Sequence, residues 1–384
     1  DAKQEILNDD DIVMDGGLFK IEEGKRNLIA TWKELQEEGV ITVTNMEVTK
    51  FNNEKSPVKD GAILIVSHQI KKIGNKAFEG CSSLASVEIP SGIEGIGSEA
   101  FRQCSGITSV KLPSAITSIE NGTFSGCNSL INITLPMGIT SIGNVAFYGC
   151  SSLEDIEIPS KVDNIGERAF EYCSSLTGIK IPSGVTSIKK GVFGECKKLK
   201  SITLPDKVTS IGSEAFSNCS MLTNIDLPSR ITEIGTHAFS WCYKLSNVKI
   251  PDGVSKLEYG IFRGCSNLAK VDIPSKVNII DAYAFEKCQN ITSLRLPLGI
   301  TSIGEKAFSG CTKLVSLQIP SGVTNIGDAA FEECGSLTNI NIPSGVTQIG
   351  NNVFYGCSSI TSLKLPTGIT SIGDYAFYGC SNIT

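Results

Sequence analysis

The chain is built on a repeating frame of apolar and polar positions. Counted from a cysteine, a typical stretch reads C-S-S-L-T-S-I-x-I-P-S-G-V-T-S-I-G-x-x-A-F-x-G, and the frame returns every 23 residues without insertion. Leu or Ile stands three residues after the cysteine, as in Leu84, Leu153 and Ile291. Val, Ile or Leu follows at +6 and Ile or Leu at +8, as in Val87 and Ile89 or Ile156 and Ile158. Apolar residues two apart predict a strand with one face buried. The proline after them has no N–H to donate and ends that strand. A second apolar pair at +12 and +15, such as Val185 and Ile188, encloses a polar pair. Ala-Phe follows four and five residues later, a spacing that predicts a short helical turn dropping Phe inward ahead of the next cysteine.

Composition follows the same step. All fourteen cysteines, from Cys81 to Cys380, keep it, with fourteen of the sixteen Phe and thirteen of the fourteen Pro. One such unit buries too little surface to offset the ordering of its own backbone, so its stability must come from stacking on its neighbours. The slot before the second apolar pair holds Gly92, Gly184, Gly322 and Gly345, but also Lys161, Lys207, Arg230 and Lys276. That mixture predicts a turn with only a mild preference for positive φ.

The stretches Leu176–Ile188 (LTGIKIPSGVTSI) and Ile142–Cys150 (IGNVAFYGC) resemble the two halves of the BspA-like leucine-rich repeat. The resemblance covers about residues 61–384. It implies an α/β repeat fold, a curved right-handed leucine-rich-repeat solenoid with a parallel β-sheet and short helical turns. It also implies a protein exported to the cell surface or secreted, similar to adhesins that hold host matrix proteins or other cells. No catalytic residues belong to the family pattern, so none is carried over.

Residues 1–60 lie outside the repeat and read as a small α/β N-terminal cap, with about 14 coils following over 61–384. Leu64, Val66, Ile70, Ile73, Ala77 and Phe78 fill the slots of a partial first coil. Leu28, Ile29, Trp32 and Leu35 predict an amphipathic helix over Asn27–Glu38, ended by Gly39. Val40–Val43 and Val48–Phe51 read as strands, and Asp15-Gly16-Gly17 as a hairpin turn between Ile12–Met14 and Leu18–Ile21. At the other end Cys380 opens a further repeat that stops at Thr384, which reads as an uncapped edge and an array that continues in its parent protein.

Charge separates the two parts. Residues 1–60 carry fourteen acidic and eight basic side chains, and the remaining 324 hold twenty-six of each. A neutral array offers no electrostatic footprint for nucleic acid or a membrane surface. No apolar run approaches the roughly 20 residues of a membrane helix. The cysteines are never closer than 23 residues, unlike metal-binding pairs, and read as buried free thiols. With two histidines, His68 and His237, and no nucleophile motif or phosphate loop, the sequence points away from an enzyme and implies no metal or cofactor.

Two surfaces are candidates for binding a protein or glycan. The outward row between the inward residues of the first strand includes Glu157, Lys180, Asp226, Lys249, Asp272 and Arg295. Its alternating charges fit either cross-strand pairing or a contact face. The second is a set of aromatic departures from the repeat: His237, Trp241, Tyr243, Tyr259 and Tyr283. These fit either a binding hot spot or ordinary variation at tolerant positions. The functions in view are an extracellular recognition module, an intracellular interaction scaffold, and a structural protein of the cell envelope.

Overall fold

The 23-residue frame closes into coils whose strands pair in parallel with their counterparts one repeat away, in a computed structural model that describes residues 15–383. Each cysteine marks one of about 14 turns of this parallel-strand solenoid. The chain divides into two compact units, Asp1–Gly184 and Val185–Thr384.

In the first unit, β1 (Gly17–Glu22) and β2 (Lys25–Thr31) form an antiparallel hairpin. Glu23 and Gly24 join them with φ of 51° and 76°, the pair of positive values that a two-residue hairpin turn requires. Helix α1 (Trp32–Glu37) starts at Thr31, where a capping box is complete. The Thr31 amide donates to a Glu34 carboxylate oxygen at 2.8 Å and the Glu34 amide donates to Thr31 Oγ1 at 3.3 Å. The Thr31 amide and, at 2.9 Å, the Thr31 hydroxyl both donate to the Glu34 carboxylate and hold it below its ordinary pKa. The helix expected over Asn27–Glu38 is therefore half strand. The Glu23-Gly24 turn zips Lys25–Thr31 onto β1, and Leu28 and Ile29 stay exposed while Trp32 and Leu35 are buried. The partner of Leu18–Ile21 is thus β2, and Ile12–Met14 lie outside the described residues.

The strands expected next are present as β3 (Ile41–Thr44) and β4 (Glu47–Phe51), turned at Asn45 and Met46 with φ of 49° and 59°. Both hairpins join the array. Strand β1 pairs antiparallel with β5 (Ala62–Ile65), to which β7 (Leu84–Glu88) adds in parallel. Strand β4 pairs in parallel with β6 (Lys72–Ile73), followed by β8 (Gly95–Ile96). Leu64, Val66, Ile70, Ile73, Ala77 and Phe78 are all buried.

Phe and Cys make the core of each unit. Phe78, Phe101, Phe124, Phe147 and Phe170 stack with centroids 5.1–5.5 Å apart and planes within 11°. The second unit repeats this from Phe193 to Phe377 at 5.4–5.7 Å. Offset rings at this separation contribute about 0.5–1.5 kcal/mol per pair beyond their burial. The thiols do more than fill space. Cys104 Sγ donates to the Phe78 carbonyl at 2.9 Å, Cys127 to Phe101 at 3.1 Å and Cys242 to Phe216 at 3.1 Å. The same carbonyl accepts the amide of the cysteine in its own coil, as Phe78 does from Cys81 at 3.1 Å.

Between the second strand and the cysteine the structure has a turn rather than the expected helical one. Alternate amides serve two directions. Ala100, Arg102 and Cys104 donate to carbonyls three residues back, while Glu99, Phe101 and Gln103 donate to Asn121, Thr123 and Ser125 of the next coil at 2.6–2.9 Å. This third inter-coil ladder needs left-handed backbone at two slots of every coil, just before Ala and just before Cys. Glu99, Val145, His237 and Tyr283 occupy the first slot and Gln103, Trp241 and Lys287 the second, all at φ of 49–61°. The slot thought to favour positive φ does not use it: neither Gly92 and Gly322 nor Lys161 and Lys276 are left-handed.

Candidate functional site

The alternation of inward and outward residues places the charged row on the open face of the first strands. Glu157 and Lys180 are exposed there in the first unit, and Asp226, Lys249, Asp272 and Arg295 in the second. Register sets Lys249 directly beside Asp272, but Asp272 instead meets Lys270 of its own strand at 3.6 Å. Among the described residues Asp226, Lys249 and Arg295 form no ion pair within 4.0 Å. The cross-strand pairing that would have explained the row as mere stabilisation is absent at these positions. Fully solvated charges gain little from closing such a pair and lose side-chain freedom in doing so.

Further along the second unit this face forms a groove of about 1530 Å³. Asp272, Arg295, Gln318, Asn341 and Lys364 line its floor, and Pro297, Pro320, Pro343 and Pro366 its rim. Leu298 stands at that rim 88% exposed. It replaces the serine usual after the proline, so the repeat itself carried the signal in its P-L-G-I. The groove gathers two of the six candidate charges, Asp272 and Arg295; Asp226 and Lys249 belong to the same unit but not to its lining, and Glu157 and Lys180 belong to the other unit.

The aromatic departures meet on the turn face of the second unit. His237 packs edge-on to Tyr259 and Tyr259 against Tyr283, both with centroids 5.1 Å apart. Trp241 lies 6.0 Å from Tyr243. The two groups are joined by a residue that spacing did not single out: the Arg263 guanidinium lies 5.0 Å from the Tyr283 ring centre and 5.6 Å from that of Trp241. A buried Glu286 carboxylate pins Arg263 Nε, and the Lys287 ammonium lies 5.8 Å from the Trp241 ring centre. Tyr283 donates its hydroxyl to Glu305 at 2.9 Å, which raises its pKa to about 12. Burial, aided by Arg263, lowers the pKa of His237, so its imidazole is uncharged at neutral pH.

Glycines make this cluster fit. Side chains at the left-handed slots lean over the next coil, and His237 and Trp241 lie on Gly260 and Gly264. A Cβ on Gly260 would collide with Cε1 and Nδ1 of the His237 imidazole. One on Gly264 would stand 2.5 Å from Trp241 Cζ3 and 2.7 Å from Cδ2. In the first unit a similar absence at Gly122 leaves a hollow of about 420 Å³ between Arg102, Tyr148 and Arg168. There Arg102 is engaged by Glu79 and Glu99 at 3.1 and 3.0 Å.

Burial pushes the thiols of Cys150, Cys242 and Cys311 up to about 12, which keeps them protonated and poor nucleophiles near neutral pH. Glu154, Asp155 and Glu157 are solvent-exposed. Among the described residues no three metal-ligating side chains gather, and no helix is long and apolar enough to cross a membrane.

Comparison with known proteins agrees with this architecture. Residues 62–177, 163–292 and 278–384 match the family described as BspA type leucine rich repeat region, in 6 copies. The chain is similar to the crystal structure of a leucine-rich repeat protein from Bacteroides ovatus, with 32% identity and a TM-score of 0.76 over 89% of this chain and 91% of that one. It is also similar to a leucine rich cell surface protein from Faecalibacterium prausnitzii, with 30% identity and a TM-score of 0.55 over 84% and 92%. No curated protein is similar enough in sequence to count as a relative. With its repeats matched almost from end to end, the chain belongs to the BspA-type leucine-rich-repeat family.

Proposed function

We propose that the chain is a non-catalytic recognition module, displayed at or released from the cell surface, that holds a protein partner on the first-strand face of its second unit. The observation that carries this reading is a groove with solvated, internally unpaired charges at and beside it, Lys249 and Arg295 among them. Such charges have no partner to leave when a ligand arrives, so complementarity accelerates encounter and fixes register without first breaking an ion pair. Leu298 supplies an apolar contact at the groove's rim, where a partner side chain would exclude water. The cell-surface character of the Faecalibacterium protein supports the location, and host matrix proteins are the first partners to screen.

Two measurements test the reading. Protease treatment of intact source cells, against a lysed control, should remove the protein selectively; full protection until lysis would favour an intracellular scaffold instead. Binding to immobilised matrix proteins should weaken about tenfold or more in Lys249→Glu/Arg295→Glu and fall as salt is raised. Equal binding by that variant would take the site off this face.

A further inference from the structure

Eight tyrosines occur in the chain, and each lies between six residues before a cysteine and one after it, on the turn face. Trp241 is there as well, whereas the outward row of the first strands holds no aromatic residue. We propose that the strip Tyr259–Tyr283–Arg263–Trp241–Tyr243, on the turn face of the second unit, is a carbohydrate-binding shelf that takes an oligosaccharide of pyranose rings. This site is separate from the groove described above and does not depend on it.

Continuity of the strip is the first support. Successive members are 5.1, 5.0, 5.6 and 6.0 Å apart, so rings and guanidinium form an unbroken row of neighbouring side chains across the face. Its rings are also held in place. Tyr283 is tied to Glu305, Arg263 to Glu286, and Trp241 lies on Gly264, which leaves little side-chain entropy to lose on binding. Trp241 and Tyr283 take left-handed slots that cost an L-residue roughly 1–2 kcal/mol, as Glu99, Val145, Gln103 and Lys287 do in other coils.

The makeup of the strip selects the ligand. Among the described residues from 173 to 297, the only exposed large apolar side chains are Tyr243 and Tyr259, 45% and 37% exposed, and neither is aliphatic. A protein hot spot of Trp, Tyr and Arg lies within a ring of contacts that excludes water, and no other large apolar side chain is exposed in that stretch to supply one. A pyranose instead presents C–H faces that stack on aromatic rings and hydroxyls that bond to polar groups at the edges. Those groups are here: the hydroxyls of Tyr243 and Tyr259, and an Arg263 guanidinium of which Nε alone is bonded to a protein acceptor among the described residues.

The test uses the full chain and defined probes: cellohexaose, xylohexaose, mannohexaose, N-acetylchitohexaose and a hyaluronan octasaccharide, immobilised for retention and then titrated while indole fluorescence is followed. Trp32 is buried in α1, so a saturable change reports Trp241. The comparison variant is Trp241→Gly/Tyr243→Ser/Tyr259→Asn, which restores the residues that occupy the same slots at Gly310, Ser266 and Asn144 and so preserves the fold. At least one probe should be retained, with affinity reduced about tenfold or more in the triple variant and unchanged in Lys249→Glu/Arg295→Glu. Retention of none of the probes, equal affinity in the triple variant, or loss only in the groove variant would each overturn the proposal.

Discussion

Replacing Gly264 by alanine separates two effects that the left-handed slot combines. The first is conformational: alanine at φ 74° is strained by roughly 1–2 kcal/mol, partly offset by about 0.4–1 kcal/mol from a stiffer unfolded chain. Gly149 measures that effect alone. Its φ is 70°, and the nearest atom to an added Cβ is 3.8 Å away. At Gly264 the same methyl group would enter the space of the Trp241 indole, with Cζ3 at 2.5 Å. The ring cannot simply swing clear, because Arg263, Lys287 and Tyr243 bound it at 5.6–6.0 Å. Overpacking of this kind costs about 1–3 kcal/mol. Gly149→Ala should therefore cost about 1 kcal/mol or less and Gly264→Ala about 1–3 kcal/mol more. Adding Trp241→Gly should return the cost of Gly264→Ala to that of Gly149→Ala, a coupling of about 1–3 kcal/mol. Equilibrium urea unfolding by far-UV circular dichroism gives the four corners of the cycle. Hydrogen exchange at the residue 241 amide, which donates to the Arg263 carbonyl at 2.6 Å, gives a local value where coils unfold separately. Equal costs at Gly149 and Gly264, or coupling below about 0.5 kcal/mol, would refute the account of glycine as a seat for the ring.

Two further outcomes follow from the same geometry. Val145 is β-branched and left-handed at φ 49°, so Val145→Gly should stabilise the fold by about 0.5–1 kcal/mol once glycine's extra chain entropy is subtracted and so raise the urea midpoint, and a lowered midpoint would show that its packing outweighs the strain. The buried thiols predict alkaline instability. Their pKa is about 12 folded at Cys150, Cys242 and Cys311 against 9.0 for the free group, so the unfolded chain loses protons first as pH rises. Their contribution is fully present below pH 9.0 and declines towards pH 12, at about 1.4 kcal/mol per thiol per pH unit. Stability against urea should be level from pH 7 to 8.5 and fall steeply above 9, and iodoacetamide at pH 8 should modify the half-buried Cys380 before Cys150 or Cys242. Equal labelling rates in the folded protein would contradict this.

The coil is legible in the order of its residues. Leu at +3, the pair at +6 and +8, the pair at +12 and +15, and Phe before Cys are burial instructions written in local spacing, and the buried residues follow them through both units until the last coil, where Ile372 is exposed. That order also determined which residues could meet, because a strict step of 23 places His237, Gly260 and Tyr283 in one row. Tertiary structure decided what periodicity does not encode. Leu28 and Ile29 keep helical spacing, yet the Glu23-Gly24 turn and the strand beside them make the segment part of a sheet. The left-handed slots were hidden because Glu, Lys, Trp and glycine all occupy them; an inter-coil hydrogen-bond ladder imposes that conformation, and no single coil can form such a ladder. The thiol donors, the idle charges of Lys249 and Arg295, and the place of Arg263 between two rings have the same origin. Each depends on how far a side chain reaches across the gap between stacked backbones. Burial follows from the order of residues along one coil, whereas contact follows from the direction in which side chains lean once coils are stacked.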